Sequence, residues 1–374
     1  MTGHRFPYTA TACALPLAAA LLCALLPARA GAVAAAGSTS ASFLELDAGA
    51  RPAGMAGAFT GLANSVDAMA YNPAGLANLP RAEATFMHNQ YLPGMRQEWM
   101  AFAQPTADFG TIGVSLNTFS VDPFSAYDAN DSPTGSVSAL DTALGGAYAL
   151  KLGYGLSVGG GGQLIRSRLA GKSTTATAYD VGAHYRPGPL IEFGAAVLHI
   201  GPPLRYASED SPLPRTLKLG VALHPLFWLD DLRVDQRFID HLSLLLDASL
   251  PQDQAVLVAS AVEVAYGPLY LRGGGRSGGY AGPGYTVGVG LAVSRLDKNK
   301  PELDFDYAFV DLGALGQAQR ASVTLKFGGR LKHTGDGGGW TWPWQRYRQS
   351  RRDRAREDDK NLEPTTIYFS PSSL

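Results

Sequence analysis

Tyr285-Thr-Val-Gly-Val-Gly-Leu-Ala-Val293 alternates without a break. Tyr285, Val287, Val289, Leu291 and Val293 point one way; Thr286, Gly288, Gly290 and Ala292 point the other. Period two over this length marks a β-strand with two unlike faces. The same pattern recurs nearby. In Ala321-Ser-Val-Thr-Leu-Lys-Phe327, Val323, Leu325 and Phe327 oppose Ser322, Thr324 and Lys326, and in Leu303-Asp-Phe-Asp-Tyr-Ala-Phe309 the aromatic residues oppose Asp304 and Asp306. Thr216-Leu-Lys-Leu-Gly-Val-Ala-Leu223 repeats it again, with Lys218 on the small-residue side.

Working outward from these segments, fourteen strands are predicted, over 82–90, 96–104, 109–119, 139–150, 153–167, 174–186, 190–200, 214–224, 241–250, 255–266, 268–275, 284–294, 302–310 and 318–328. Most approach the roughly nine to eleven residues that a tilted strand needs to cross a bilayer. An even number suits a closed bacterial barrel. One face is Val, Leu, Phe and Tyr; the other is Gly, Ala, Ser and Thr, with Lys218, Arg272, Asp304, Asp306 and Lys326 interspersed as candidate lumen polar residues. A soluble β-sandwich would alternate in the same way. Strand length, an export signal and a last strand ending in Phe327 favour an all-β transmembrane antiparallel barrel.

The connections point the same way. If the first strand runs outward, even-numbered connections such as Pro105–Asp108, Leu152-Gly153 and Gly267-Pro268 are short and periplasmic, and odd ones include the long pieces Val121–Ser138 and Gly201–Leu213. Pro225–Asp240 is the exception, read as a loop with a helical turn; a strand at Leu232–Phe238 would change the count.

Composition bounds the function. The 374 residues carry a formal net charge of −1, which gives no reason to expect nucleic acid. There are 44 glycines, and charged residues make up 17%. His4 and Arg5 precede the apolar run Thr9–Leu26 and then Pro27-Ala-Arg-Ala30, the layout of a secretory signal peptide over 1–30, with Ala36 as a second cleavage position. Both cysteines, Cys13 and Cys23, fall inside it, so thiol chemistry is not expected of the exported chain. Leu22 before Cys23 argues against a lipoprotein site.

No segment carries a catalytic constellation. Gly275-Arg-Ser-Gly-Gly279 matches a nucleophile elbow in form, but a flexible turn follows where a helix is required. Gly171-Lys-Ser173 lacks the leading glycine of a phosphate loop, since Arg166 stands there. The seven histidines show no paired ligand spacing. Gly159–Gly162 reads as close packing inside the barrel. Asp304 and Asp306 share a face and suit a cation ring, an acid pair or plain solvated polarity. No enzyme, cofactor or metal is expected.

Before the first strand the pattern changes. Ser42–Thr60 is dominated by small residues, and Ala70-Tyr-Asn-Pro-Ala-Gly-Leu-Ala-Asn-Leu79 follows. Asn72 is a helix cap and Pro73 a first helical residue, yet the helix can run only to about Pro80. Short helices with glycine at their contacts can fill a lumen as a plug over 37–80, or pack beneath it.

Phe43-Leu-Glu-Leu-Asp-Ala-Gly-Ala-Arg-Pro-Ala-Gly-Met-Ala-Gly-Ala-Phe59, continuing to Ala77, resembles the opening of the PorV/PorQ-type outer-membrane proteins, a group similar to the FadL-type long-chain fatty acid transporters. Gly49, Arg51, Gly54, Gly57, Phe59, Asn72, Pro73 and Gly75 fall in order, and Asp47 departs where a small residue is expected. The resemblance implies a barrel over 81–329 with an N-terminal hatch in which Arg51, Gly54, Gly57, Phe59, Asn72, Pro73 and Gly75 serve in gating. It also implies an outer-membrane location in a diderm bacterium with both termini periplasmic. Two functions of different class follow: passive transport or binding of a hydrophobic small molecule, or a shuttle for secreted or surface-attached proteins. The lumen face, mostly small and polar, counts against a greasy tunnel along the whole barrel. The tail 330–374 is a further departure; it holds Trp340, Trp342, Trp344, nine Lys+Arg and six Asp+Glu, and reads as a flexible periplasmic extension able to meet membrane lipid or a protein partner.

Overall fold

The computed structural model of the chain describes residues 37–106, 109–206, 209–225, 241–277, 284–293 and 302–328. The signal segment, Leu232–Phe238, the turn after Ser277 and the tail 330–374 lie outside the described residues.

The strands are β1 (Ala82–Leu92), β2 (Met95–Thr106), β3 (Gly110–Tyr127), β4 (Pro133–Gly153), β5 (Leu156–Leu169), β6 (Lys172–Tyr185), β7 (Ile191–Ile200), β8 (Leu204–Tyr206), β9 (Glu209–Ser211), β10 (Thr216–Leu223), β11 (His241–Pro251), β12 (Leu257–Tyr266), β13 (Leu269–Ser277), β14 (Gly284–Ala292), β15 (Glu302–Asp311) and β16 (Gln317–Phe327). Fourteen of them close into one antiparallel barrel, each beside its sequence neighbour; β8 and β9 form a separate hairpin in the connection from β7 to β10. Closure pairs the first strand with the last, from Ala82↔Phe327 to Gln90↔Gln319. The fourteen-strand expectation is borne out.

Alternation maps onto lipid and lumen. On β14, Tyr285, Val287, Val289 and Leu291 are 42–56% exposed, whereas Thr286 is 2% and Ala292 5%. Burying small residues inward while displaying large apolar ones is unstable in water and is what a bilayer solvates. These four outward residues cover about 20 Å of strand, the scale of the apolar band of outer-membrane barrels.

Two expectations about the connections change. Val121–Ser138 is not a loop: β3 and β4 run on as a paired hairpin to Tyr127↔Pro133, over 18 and 21 residues. Its ladder breaks between Val121 and Phe124, and this bulge accommodates Pro123, which has no N–H to give. Beyond Val121 most side chains are exposed, so no hydrophobic alternation marks the strands there. Nor does connection length assign the two rims. We call the end where β1 starts and β16 ends the near rim, and the other the far rim. The far rim has tight turns at Leu92–Met95 and Leu169–Lys172, with Gly94 and Gly171 at φ 74° and 79°; the near rim has the long span from Leu223 to His241.

Residues 37–79 occupy the lumen as short turns at Ser42–Glu45, Ala50–Ala53, Val66–Ala70 and Pro73–Asn78. Their apolar side chains make up most of the largest buried cluster, including Met55, Phe59, Leu62, Val66, Tyr71 and Leu76, against wall residues such as Met87, Trp99 and Leu245. The segment enters from the far rim. Thr39 Oγ1 donates to Asp253 Oδ2 at 2.7 Å and Ser40 Oγ to the Ser211 carbonyl at 3.0 Å, both in far-rim connections. Gly37–Ser40 sit at the rim opposite to Phe327, because the segment crosses the lumen before β1 begins.

Candidate functional site

Asn72 acts in two directions. Its Oδ1 accepts from Ala74 N at 3.2 Å, capping the Pro73–Asn78 turn. Its Nδ2 donates to the Thr60 carbonyl at 3.2 Å and to the Ala183 carbonyl of β6 at 2.9 Å. The wall is stripped of side chains opposite it. A Cβ on Gly182 would stand 2.1 Å from Asn72 Oδ1, one on Gly194 1.9 Å from Thr60 O, and one on Gly159 2.6 Å from the Pro73 carbonyl carbon. Gly75 is required on the segment's own side, where a Cβ would fall 2.0 Å from Ala63 O. The Asn-Pro turn is short because it fills a fixed gap between Ala63 and the glycines of β5, β6 and β7.

A second contact group lies at the near rim. Arg51 donates through Nε and Nη2 to the two Glu263 oxygens of β12, each at 2.9 Å, and through Nη1 to Asn64 at 2.9 Å. Arg272 on β13 shares Glu263 at 2.7 Å and reaches Asp306 at 2.6 Å, while Lys326 pairs with Asp304 at 2.8 Å. Four of the five predicted lumen polar residues thus converge beside Arg51. Asp304 and Asp306 each take a cation rather than pairing with one another. Burial opposes the Arg51 charge, but Glu263 outweighs it and raises the guanidinium above its ordinary value. The guanidinium also lies 5.5 Å over the Phe59 ring, which packs edge-on to Tyr71 at 5.5 Å. Gly54 meets Gly288 of β14 backbone to backbone, and Gly57, at φ 78°, leaves room for Asp47. Asp47, the departure noted in the sequence, is 8% exposed with Arg320 Nη1 3.2 Å away. Burial pushes its carboxyl up, and Arg320 and Arg276 together hold it below the usual carboxylate range.

Sequence reasoning missed the wall residues that receive the segment. Asp247 accepts from Thr60 N at 2.6 Å, Glu83 from Val66 N at 2.9 Å, and Thr286 from Ala56 N at 3.0 Å while donating to Gly54 O at 3.1 Å. Their signal was there: each is a polar residue at an inward position among small neighbours. What the sequence could not supply was the path of the segment that meets them.

Trp99 Nε1 donates to Asp67 Oδ1 at 3.0 Å. Burial pushes the Asp67 carboxyl from 3.8 up to about 7, against the pull of that hydrogen bond. Glu45, near the far rim, is likewise lifted to about 7 by burial and by Asp253. A carboxyl raised in the packed state favours packing while protonated. The contribution is complete below about pH 4 and is lost as pH rises through about 7. Asp67→Asn is therefore expected to gain in thermal stability over wild type as pH rises from about 5 to 8, read as the temperature at which the barrel loses its compact electrophoretic form; a constant difference across that range contradicts the assignment.

Clefts lie on both sides of the segment. Toward the far rim, about 690 Å³ of open space is bounded by Leu44, Leu46, Tyr71, Leu198, Lys218 and Arg276. Lys218, apart from the other predicted polar residues, holds its Nζ 4.7 Å over the Tyr71 ring. Beside it a space of about 460 Å³ meets Leu44, Met69, Trp99, Asn117 and Gln163. At the near rim about 620 Å³ is bounded by Arg51, Asn64, His241, Glu263 and Lys326.

Residues 28–183 match the sequence model of UPF0164, an uncharacterised protein family. No curated protein sequence matches the chain. Among solved structures, the CymD monoaromatic hydrocarbon channel is similar at 10% identity and TM-score 0.50, over 76% of this chain and 98% of that one. A Pseudomonas aeruginosa FadL homologue is similar at 14% identity and TM-score 0.48, over 72% and 96% of the two chains. The Pseudomonas putida toluene transporter TodX gives 12% identity and TM-score 0.44, over 69% and 91%. At such identities the likeness to CymD speaks for the barrel fold alone.

Proposed function

We propose that the chain is an outer-membrane channel of a diderm bacterium that admits a hydrophobic small molecule. Residues 37–80 act as its hatch, closed at rest and displaced to let the molecule pass. The observation carrying this reading is that one segment separates the far-rim clefts, where Leu44, Leu46 and Met69 offer apolar contact beside Lys218, from the polar near-rim cleft. A molecule with an apolar body and a polar end suits the far-rim lining better than a bare hydrocarbon does. Residues 1–30 are the export signal, the near rim faces the periplasm, and the barrel over 81–329 meets lipid with its outward Val, Leu, Phe and Tyr. The chemistry needs no catalysis, since the hatch only has to move. Residues 330–374 extend into the periplasm.

Uptake by cells lacking the gene tests this. Labelled long-chain fatty acid is expected to enter them more slowly than wild type, with recovery on complementation. Unchanged uptake of both fatty acid and a labelled alkane overturns the transport reading and leaves a protein-shuttle role, as in PorV-type proteins, to be sought by cross-linked pull-down.

A further inference from the structure

Three histidines on different elements form one hydrogen-bonded arc along the near rim. His184 ends β6, His224 follows β10, and His241 starts β11. Asn78 Nδ2 donates to His184 Nδ1 at 3.1 Å, which leaves the His184 proton on Nε2. That Nε2 lies 2.9 Å from the Gly61 carbonyl and 3.1 Å from Glu192 Oε2. His224 Nε2 donates to Glu192 Oε1 at 3.0 Å. His224 Nδ1 meets Ser243 Oγ at 2.9 Å, and Ser243 Oγ meets His241 Nε2 at 2.7 Å. His241 Nε2 is 3.6 Å from Glu263 Oε1, the carboxylate that holds Arg51.

The arc therefore touches the lumen segment twice: at Gly61 and Asn78 through His184, and at Arg51 through Glu263. Neutral imidazoles satisfy it with every proton in place. His241 Nε2–H donates to Ser243, Ser243 donates to His224 Nδ1, His224 donates to Glu192, and His184 Nε2–H donates to the Gly61 carbonyl with Glu192 Oε2 alongside. Added protons act differently at His224 and at His184. A proton added at His224 Nδ1 is accommodated, because Ser243 Oγ can accept from both neighbouring rings and Glu192 stands as counter-charge. A proton added at His184 Nδ1 sets an N–H against the Asn78 N–H. It also sets another cation beside Glu192, which already faces Arg186 at 3.3 Å and the His224 ring at 3.0 Å. The charged groups around the arc are thus Glu192 and Arg186 beside His184 and His224, and Glu263, Arg51 and Arg272 beside His241.

We infer that this arc is a proton-operated clasp on the lumen segment: neutral, it holds the Gly61–Asn78 corner against the wall, and protonation of His184 releases that corner. Histidine is the side chain whose charge changes between about pH 5 and 8. The arc opens onto the near-rim cleft through His241, so acid on that side is the effective stimulus. This rests on the hatch reading above, but its test reads ion flow and needs no transported molecule, so it can fail while that reading stands.

Conductance of the purified full-length barrel in planar bilayers, at about pH 7.5 and pH 5, tests it. The wild type is expected to show about a tenfold higher open fraction in acid, the scale of losing one or two hydrogen bonds. His184→Asn, which cannot take up a proton, is expected to lose the acid step while keeping heat-modifiable migration. Asn78→Ala, a change in the segment rather than the wall, is expected to be open already at neutral pH. Asp67→Asn removes a group that tightens packing in acid and is expected to enlarge the step. A wild-type conductance independent of pH, or an undiminished step in His184→Asn, overturns the clasp.

Discussion

Glu263→Ala is expected to undock the lumen segment at its near-rim end and give the largest single-residue loss in closure. Glu263 is fully buried and holds Arg51 bidentately while also taking Arg272. Removing one member of a buried ion group leaves its partners charged and uncompensated, at a cost of about 3–5 kcal/mol. Arg272 keeps Asp306, so the unmet charge falls on Arg51 and thus on the segment. The variant is expected to conduct ions continuously in planar bilayers and to lose its compact electrophoretic form at a lower temperature. Arg51→Met is expected to be milder, because Glu263 then remains paired with Arg272. Wild-type conductance in Glu263→Ala would show that the pair does not fasten the segment.

Gly194→Val is expected to have a comparable effect by steric means. A Cβ at this position stands 1.9 Å from the Thr60 carbonyl oxygen and 3.0 Å from Asn72 Nδ2. The first neighbour is backbone and cannot rotate away, so the segment must lift off β7 or the strand must bend, with an overpacking cost of about 1–3 kcal/mol or more. Asn72 loses its Thr60 contact in either case. Gly146→Ala is the control: its Cβ would face lipid, with nothing nearer than Gly113 O at 4.0 Å. Raised conductance in Gly194→Val with none in Gly146→Ala is the expected pattern. Equal behaviour of the two would mean that the inward glycines are not there to admit the segment.

The barrel was legible because lipid and lumen sort side chains so differently. Tyr285, Val287, Val289 and Leu291 face out on β14 just as their alternation requires. Where the same solvent lies on both faces the code disappears, and so the hairpin extension beyond Val121 read as a loop. The glycines at 159–162 pointed to close packing, and Gly159 does meet the backbone at Pro73 and Ala74; which segment would approach it was beyond the sequence. The charge groups were half visible. Arg272, Asp304, Asp306 and Lys326 stood out on inward faces, whereas Glu263 and Asp247 gain meaning only once Arg51 and Thr60 are brought across the lumen. Lys218 shares their face yet lies toward the other rim, since face and height along a strand are independent. The rim at which the segment enters depends on contacts such as Thr39 with Asp253, far apart in the chain and unmarked by any local pattern.

Cross-linking the segment to the wall tests the central claim, that passage requires residues 37–79 to move. The chain's two cysteines, Cys13 and Cys23, both precede the described residues, and on the proposed reading of 1–30 as an export signal a pair introduced downstream has no competing thiol in the exported chain. Ala56 and Thr286 suit it, because Ala56 N already contacts Thr286 Oγ1 at 3.0 Å. In Ala56→Cys/Thr286→Cys, entry of labelled long-chain fatty acid into proteoliposomes is expected to fall to that of protein-free vesicles when the pair is oxidised, and to return on reduction. Equal entry in the oxidised and reduced states would contradict the account.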